Sequence, residues 1–524
     1  MDMKELIACD SRRGKAGMLA ILFLCSMIFA LAFEGVCYAF LGPISTGSWI
    51  NVYRWGFVTA CALVLSGFFV FRKDALRSPE KLFFCIVLAT TCYSSLAMDV
   101  NETSWDVGAH FEFMLDWAAP DMSNELTVAE VEMKGPQSYL TSISELQNWK
   151  DDLNAKDDVD AGVTLEPSLA KLYQHIGSLP GSLVYLVLSF LGVPFSIKFV
   201  LTRLTYALIY SFVTYFGMKK LRSGKMLFAV VALLPTAVFL AANYSYDYWL
   251  NAFALYAVAS LVGILQRPDE RVNLKQIIML FVAFVAALGP KPIYFPLVLL
   301  CFLVPKSRFA TKRGSRWFRV ATVAVSLFVA ASFLVPYFFV TGPGIGDTRG
   351  GSGVNSSEQI ALILSDPLGY IQVLLSFLAW YLSIPASSGY VCMYAYIGYP
   401  SSIVWMLVLG ALFFTAITDK SQADRQVNTW RSRVLAITVF CACVVLVASA
   451  LYVSYNPVGA TWVEGCQPRY LIPLLFALLV FLSGPKLGWP RSERGRSMYN
   501  FGVLGIMAWA NMFGFWQVYV SLLH

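Results

Sequence analysis

Charge is what this chain has little of. Only 14% of its 524 residues are Asp, Glu, Lys or Arg, against 58% hydrophobic, and the mean hydropathy is +0.63. No soluble fold needs that much apolar surface. The 11 cysteines include no CxxC pair, and most fall inside apolar runs, Cys441 and Cys443 within one run, which argues against a thiol metal site. Cys392 and Cys466 read as two free thiols, with a disulfide between them as the alternative. The net charge of +7 does not point to nucleic acid, because the basic residues fall in blocks between apolar runs. The first apolar run, 18–42, follows Arg12, Arg13 and Lys15 but lacks a small-residue cleavage site, so it reads as an uncleaved span.

What is present is a series of apolar runs long enough to cross a membrane. Lys and Arg gather at 4–15, 72–81, 219–225, 267–275, 306–319, 420–433 and 486–496, which together hold 29 of the 39. Placing all seven blocks in the cytoplasm satisfies the positive-inside rule. The chain is then an all-α polytopic membrane protein with 13 spans, near 18–42, 52–71, 82–98, 199–218, 226–242, 248–266, 275–289, 292–305, 318–340, 400–418, 433–453, 470–484 and 500–522. Two further apolar stretches, 181–195 and 370–384, read as helices lying in the outer interface.

The organisation follows: N-terminal spans at 1–98, an outer acidic loop with an interfacial helix at 99–198, a transmembrane core at 199–340, an outer Gly-rich loop with an interfacial helix at 341–399, and C-terminal spans at 400–524. Residues 99–180 hold 16 of the 32 acids and read as a solvated cap, with Asp151, Asp152, Asp157, Asp158 and Asp160 as a charged surface turn. The six glycines between 342 and 353 suit either a lid or a plain connector.

Four clusters fall on one side of this topology, the non-cytoplasmic one. Asp106 and His110 follow the third span. If a helix begins near Asp106, the spacing of four puts both on one face, with Asp106 as a general base. The bland alternative is an N-cap and a polar surface histidine. Tyr246 and Asp247 sit in a short outer turn, where an Asp is commonly a cap. Lys291 lies between two prolines in a hairpin turn, and could hold a phosphate or meet lipid headgroups by snorkelling. Arg469 and Tyr470 open the twelfth span after Glu464 and Gln467. Arg469 can bind a phosphate through two hydrogen bonds or can pair with Glu464. Arg203 and Arg349 are further cations expected outside.

In this order the clusters resemble a large bacterial family of polytopic membrane proteins of unassigned function within the GT-C glycosyltransferase superfamily. Its motifs are P-D-E-x-x-H-F, a Tyr-Ser-x-Asp turn, a Lys-Pro-x-Tyr hairpin and G-x-Q-G-R-Y-x-x-P. Asp106, His110 and Phe111 match the first. Ser245 and Asp247 match the second, and Lys291, Pro292 and Tyr294 the third. Gly465, Gln467, Arg469, Tyr470 and Pro473 match the fourth. Val107 replaces the family's acid, which weakens a two-carboxylate metal site, and Pro468 replaces the Gly before Arg.

The resemblance implies a GT-C-like bundle in a bacterial plasma membrane. It also implies transfer, with inversion, of a sugar from a polyprenyl-phosphate carrier to a cell-envelope glycan or lipid acceptor outside the cytoplasm. Asp106 would be the catalytic base. His110, Tyr246, Asp247, Lys291, Tyr294, Glu464, Gln467, Arg469 and Tyr470 would bind substrate. The resemblance fixes no cofactor, and a divalent metal stays open. The expected partners are the lipid-linked donor, the acceptor and membrane lipids, with no nucleic acid. A flippase of lipid-linked sugars would use the same cations but needs ionisable groups near the bilayer midplane. A ligase or polymerase moving a whole glycan shares the chemistry.

Overall fold

Backbone amides in hydrocarbon have no water to bond, so apolar runs there must close their hydrogen bonds within themselves. The runs of this chain do so as helices. A computed structural model describes residues 12–43, 46–72, 78–118, 125–135, 139–164, 172–339, 353–482 and 492–523. The expected lid glycines up to 352, with Arg349 among them, lie outside the described residues.

In chain order the elements begin with three antiparallel helices, α1 (Arg12–Leu41), α2 (Val52–Phe71) and α3 (Glu80–Ala97). A cap follows: α4 (Val107–Ala118), β1 (Glu125–Thr127), α5 (Val128–Lys134), α6 (Ile143–Ala155) and β2 (Asp160–Thr164). The core is α7 (Leu179–Phe190), α8 (Phe195–Met218), α9 (Lys225–Ala232), α10 (Pro235–Ala241), α11 (Asp247–Leu265), α12 (Leu274–Leu288), a 3₁₀ helix (Pro292–Leu303) and α13 (Lys312–Phe339). Next come α14 (Ser356–Ser365), α15 (Pro367–Tyr381), α16 (Ser388–Val391), α17 (Ser402–Thr418), α18 (Trp430–Ser454), α19 (Ile472–Leu482) and α20 (Glu493–Val518).

Each of the 13 expected spans coincides with at least one of these helical elements. Among the described residues 7 helices are long and apolar enough to cross a membrane unaided, or 8 if α14 and α15, bent by 106° at their junction, count as one. Of the others, α13 runs 28 residues unbroken and the rest are short or broken. The run 226–242 divides at Leu233–Leu234 because Pro235 has no amide to donate. The break is stitched from outside: Asn511 donates to the Leu233 carbonyl at 2.8 Å, and the Met393 amide donates to the Thr236 hydroxyl at 2.7 Å. Outward-facing side chains are apolar, among them Phe29, Leu65, Phe212, Ile278, Leu327 and Met406, as a lipid-facing surface requires.

Among the described residues, five of the seven basic blocks meet at one end. Lys225 pairs with Glu80 at 2.6 Å, Arg267 donates to the Lys220 carbonyl, and Arg308 donates to the Ile264 and Glu270 carbonyls. Gln266 joins the Arg222 amide to Asp424, and Asp419 accepts from the amides of Met226 and Leu227.

The acidic segment is a folded cap rather than a loop. β1 and β2 pair antiparallel, and Leu126, Ala129, Met133, Leu146 and Leu153 form its buried interior. Asp157, expected in a surface turn, instead pairs with Lys198 at 2.9 Å. Tyr185 donates to Glu130, and Lys150 pairs with Asp99, so the cap is fastened to the bundle at three places. Within the cap, Gly108 lets α4 close on α5: a Cβ there would stand 2.5 Å from the Lys134 carbonyl oxygen. Arg203, expected as an outer cation, is buried and donates to the Ser95 and Asp99 carbonyls, so its role is structural.

The shared end of the basic blocks fixes a labelling expectation. In intact cells a membrane-impermeant maleimide should modify Asp158→Cys in the cap, and should reach Asp269→Cys only after lysis. Labelling of Asp269→Cys in intact cells would overturn the assigned sidedness.

Candidate functional site

At the opposite end from the basic blocks, four chain segments close on one another. Asp106 has a positive φ of 55°, a left-handed conformation that Asp tolerates better than most residues. It turns the chain into α4, and the His110 amide donates to the Asp106 carbonyl at 2.9 Å. The spacing of four therefore places both side chains over the first turn of one helix.

Asp247 opens α11. Its amide donates to the Ser245 hydroxyl, and Ser245 donates to the Asp247 carboxylate, each at 3.1 Å. A carboxylate at a helix N-terminus is favoured by the exposed amides there.

Lys291 follows α12 through Gly289 and Pro290. A Cβ at Gly289 would stand 2.7 Å from the Tyr173 carbonyl oxygen, so the 172–178 segment sits tightly on this turn. Tyr173 donates to the Val285 carbonyl and holds the turn from the side. Pro292 then starts the 3₁₀ helix, and Tyr294 within it donates to the Tyr470 carbonyl at 2.8 Å. That bond ties the hairpin to the 467–471 turn. A second tie is Tyr381, whose hydroxyl donates to the Gln467 carbonyl at 2.9 Å.

The charged groups converge. Arg469 Nη1 lies 2.8 Å from Asp247 and Arg469 Nη2 lies 3.9 Å from Asp106. The Arg469 guanidinium stands over the Trp105 ring at 4.5 Å, and Lys291 Nζ lies on the face of Tyr470. Tyr246 packs edge-on against His110 at 4.8 Å and lies within 6.0 Å of Lys291 Nζ. The side chains of Arg469 and Asp247 are 1% and 5% exposed, whereas that of Asp106 is 37% exposed. Asp247 is thus fixed to Arg469, and Asp106 is the acid a solute can reach.

Burial pushes the Lys291 ammonium down to about 7 and the His110 imidazole, helped by Arg469, down to about 4. Lys291 Nζ, Arg469 Nε, His110 Nδ1 and Gln467 Oε1 are all sealed from solvent without a hydrogen-bond partner. Buried polar groups are ordinarily satisfied, so these four are donors and acceptors with hydrogen-bonding capacity left over.

Of the expected residues, Asp106, His110, Tyr246, Asp247, Lys291, Tyr294, Gln467, Arg469 and Tyr470 are brought together. Glu464 is not. It is exposed, and its backbone bonds to Asn456, while Arg469 pairs with Asp247 and Asp106. Asp247 opens α11 as a full helix beneath the turn, so it outcompetes an exposed loop acid for the buried guanidinium. Trp105 heads the Asp106–His110 cluster in sequence but has no role assigned from it, and Tyr381 goes unmarked, because its apolar helix gives no hint that its hydroxyl supports Gln467. Cys392 and Cys466 are free and buried. Among the described residues no group of three or more His, Cys, Asp or Glu is placed to hold a metal ion.

A family model for predicted membrane proteins, DUF2142, matches residues 120–478. The chain belongs to that family. The match takes in Tyr246, Asp247, Lys291, Tyr294, Gln467, Arg469 and Tyr470, while Asp106 and His110 precede it. No curated protein and no solved structure matches the chain.

The Asp247–Arg469 pair carries a stability expectation. Breaking a buried pair by removing one partner costs about 3–5 kcal/mol, because the other charge stays buried alone. Asp247→Asn should therefore lower the thermal unfolding temperature clearly. Asp247→Leu combined with Arg469→Met should restore much of it, and a double variant no more stable than Asp247→Asn would contradict the pair's isolation.

Proposed function

We propose that this chain is an integral membrane glycosyltransferase of GT-C type. It moves a sugar from a polyprenyl-phosphate carrier to a glycan or lipid acceptor on the non-cytoplasmic face of a bacterial plasma membrane. The observation that carries this reading is the pair of aromatic-backed cations, Lys291 and Arg469, with unsatisfied N–H groups beside a reachable carboxylate, Asp106.

The arrangement suits displacement at an anomeric carbon. The acceptor hydroxyl oxygen attacks that carbon, and the bond to the phosphate oxygen breaks. The phosphate leaves with the bonding pair, and Asp106 takes the hydroxyl proton. Attack opposite the departing phosphate inverts the carbon. Lys291 and Arg469 counter the charge growing on the leaving group, in a setting where burial strengthens each interaction. Asp247 keeps Arg469 aimed. His110, neutral near pH 7, is left to hydrogen-bond a sugar hydroxyl rather than to bind phosphate as a cation. Ionisable side chains in the described helices gather toward the bundle's two ends, as in Glu34–Arg54 and Lys225–Glu80, which favours this reading over a transporter.

Asp106→Asn keeps the shape but cannot take a proton. Transfer of a radiolabelled sugar from a polyprenyl-phosphate donor should fall by about two to four decades, with donor affinity nearly unchanged. Lys291→Ala should weaken donor affinity and slow transfer together. Wild-type turnover in Asp106→Asn would remove it as the base. Movement of an uncleaved lipid-linked glycan across liposomes, with no transfer, would replace the enzyme by a flippase.

The lysine also sets a pH dependence. A bound phosphate favours the ammonium, so Lys291 binds protons more tightly in the complex than when free. Donor affinity should be full below about 7, the value for free Lys291, and should weaken as pH rises above it. Lys291→Arg should flatten that profile in nanodisc binding measurements, since a guanidinium stays charged. An unchanged profile would place the titration elsewhere.

A further inference from the structure

Helices α1, α2 and α3 all precede residue 120, where the family match begins. Between them and the core helix α8 lies an apolar cavity of about 880 Å³. Its wall includes Phe23, Met27, Gly56, Ala60, Leu88 and Leu208. It runs the whole length of α2, from Val52 to Phe71. Those 20 residues span about 30 Å at the helical rise, which is the thickness of a bilayer's hydrocarbon core.

The two ends differ in charge. At the end near the candidate site the cavity reaches Tyr53 and Asp99, and Asp99 is engaged by Tyr53 and Lys150. At the other end it reaches Phe71, Lys81 and Tyr215. Two cations stand at that end: Lys81 in the wall, and Lys219 over the ring of the wall residue Tyr215 at 5.2 Å.

We propose that this cavity binds the hydrocarbon chain of an anionic glycerophospholipid from the basic-side leaflet, with its phosphate headgroup at Lys81 and Lys219. Length supports a chain running along the membrane normal, and the one-sided cations support an anionic headgroup. The candidate site lies at the opposite end of the bundle, so this lipid is not the sugar donor. It seats α1–α3 against the family core.

The test reads bound lipid and needs no transfer assay. The full chain is reconstituted with equal amounts of phosphatidylglycerol and phosphatidylethanolamine, extracted in mild detergent and weighed by native mass spectrometry. Wild type should retain one phosphatidylglycerol. Gly56→Leu with Ala60→Phe fills the wall and should cut retention by about tenfold, equivalent to 1.4 kcal/mol. Lys81→Gln with Lys219→Gln leaves the cavity intact, and should abolish the preference for phosphatidylglycerol while keeping a lipid bound. Wild type without bound lipid, equal retention of the two phospholipids, or unchanged retention in the filled variant would each overturn the proposal. So would displacement of the phospholipid by an equimolar polyprenyl phosphate.

Discussion

The site depends on one buried ion pair, Arg469 with Asp247, held 2.8 Å apart. Neither charge could stay in so enclosed a place alone, because desolvation costs several kcal/mol per ion. Together they join the 467–471 turn to the start of α11, segments 222 residues apart in sequence. Around that pair the remaining parts fall into place. Trp105 covers the guanidinium, Ser245 holds the carboxylate, and Tyr294 fixes the turn that carries Arg469 to the hairpin that carries Lys291. The pair is also what leaves Lys291 without a carboxylate of its own. Asp247 is spent on Arg469, and Lys291 rests on the Tyr470 ring instead.

Much of the fold was legible because a membrane leaves few choices. Apolar runs had to be helices, and the basic blocks had to share an end. What escaped the sequence was local. The break at Leu233–Leu234 is announced by Pro235, but only the contact with Asn511, far along the chain, makes it tolerable. The acidic segment looked like a solvated loop because its charges dominate its composition. Its small interior, Leu126, Ala129, Met133, Leu146 and Leu153, is too dispersed to show a clear period.

The site divides in the same way. Residues fixed by unusual local chemistry, such as Lys291 between two prolines or Asp106 beside Trp105, stood out. Residues whose function is to support others did not, because a tyrosine in an apolar helix looks alike whether or not its hydroxyl bears a load. Tyr381 is the example: only the folded chain brings it to the Gln467 carbonyl. Glu464 erred the other way. Nearness in sequence to Arg469 suggested a partner, but a helix-start carboxylate already positioned by Ser245 outcompetes an exposed loop acid for a buried guanidinium.

The charge count of the site bears on the proposed chemistry. Asp106, Asp247, Lys291 and Arg469 sum to neutrality when Lys291 carries its proton. An arriving phosphate monoester or diester therefore meets no net attraction from the set, and selection has to come from placement. Asp247 occupies Arg469 Nη1, and Arg469 Nε and Lys291 Nζ are the donors there without a partner. Both donors are backed by aromatic faces, Trp105 and Tyr470, which steady a cation without offering it a competing negative charge. Asp106 lies 3.9 Å from Nη2 of the same guanidinium. On the proposed reading the shared guanidinium lets one residue cluster bind an anion and still keep a base beside it. Its positive charge offsets the repulsion between the two negative charges as the leaving group's charge grows.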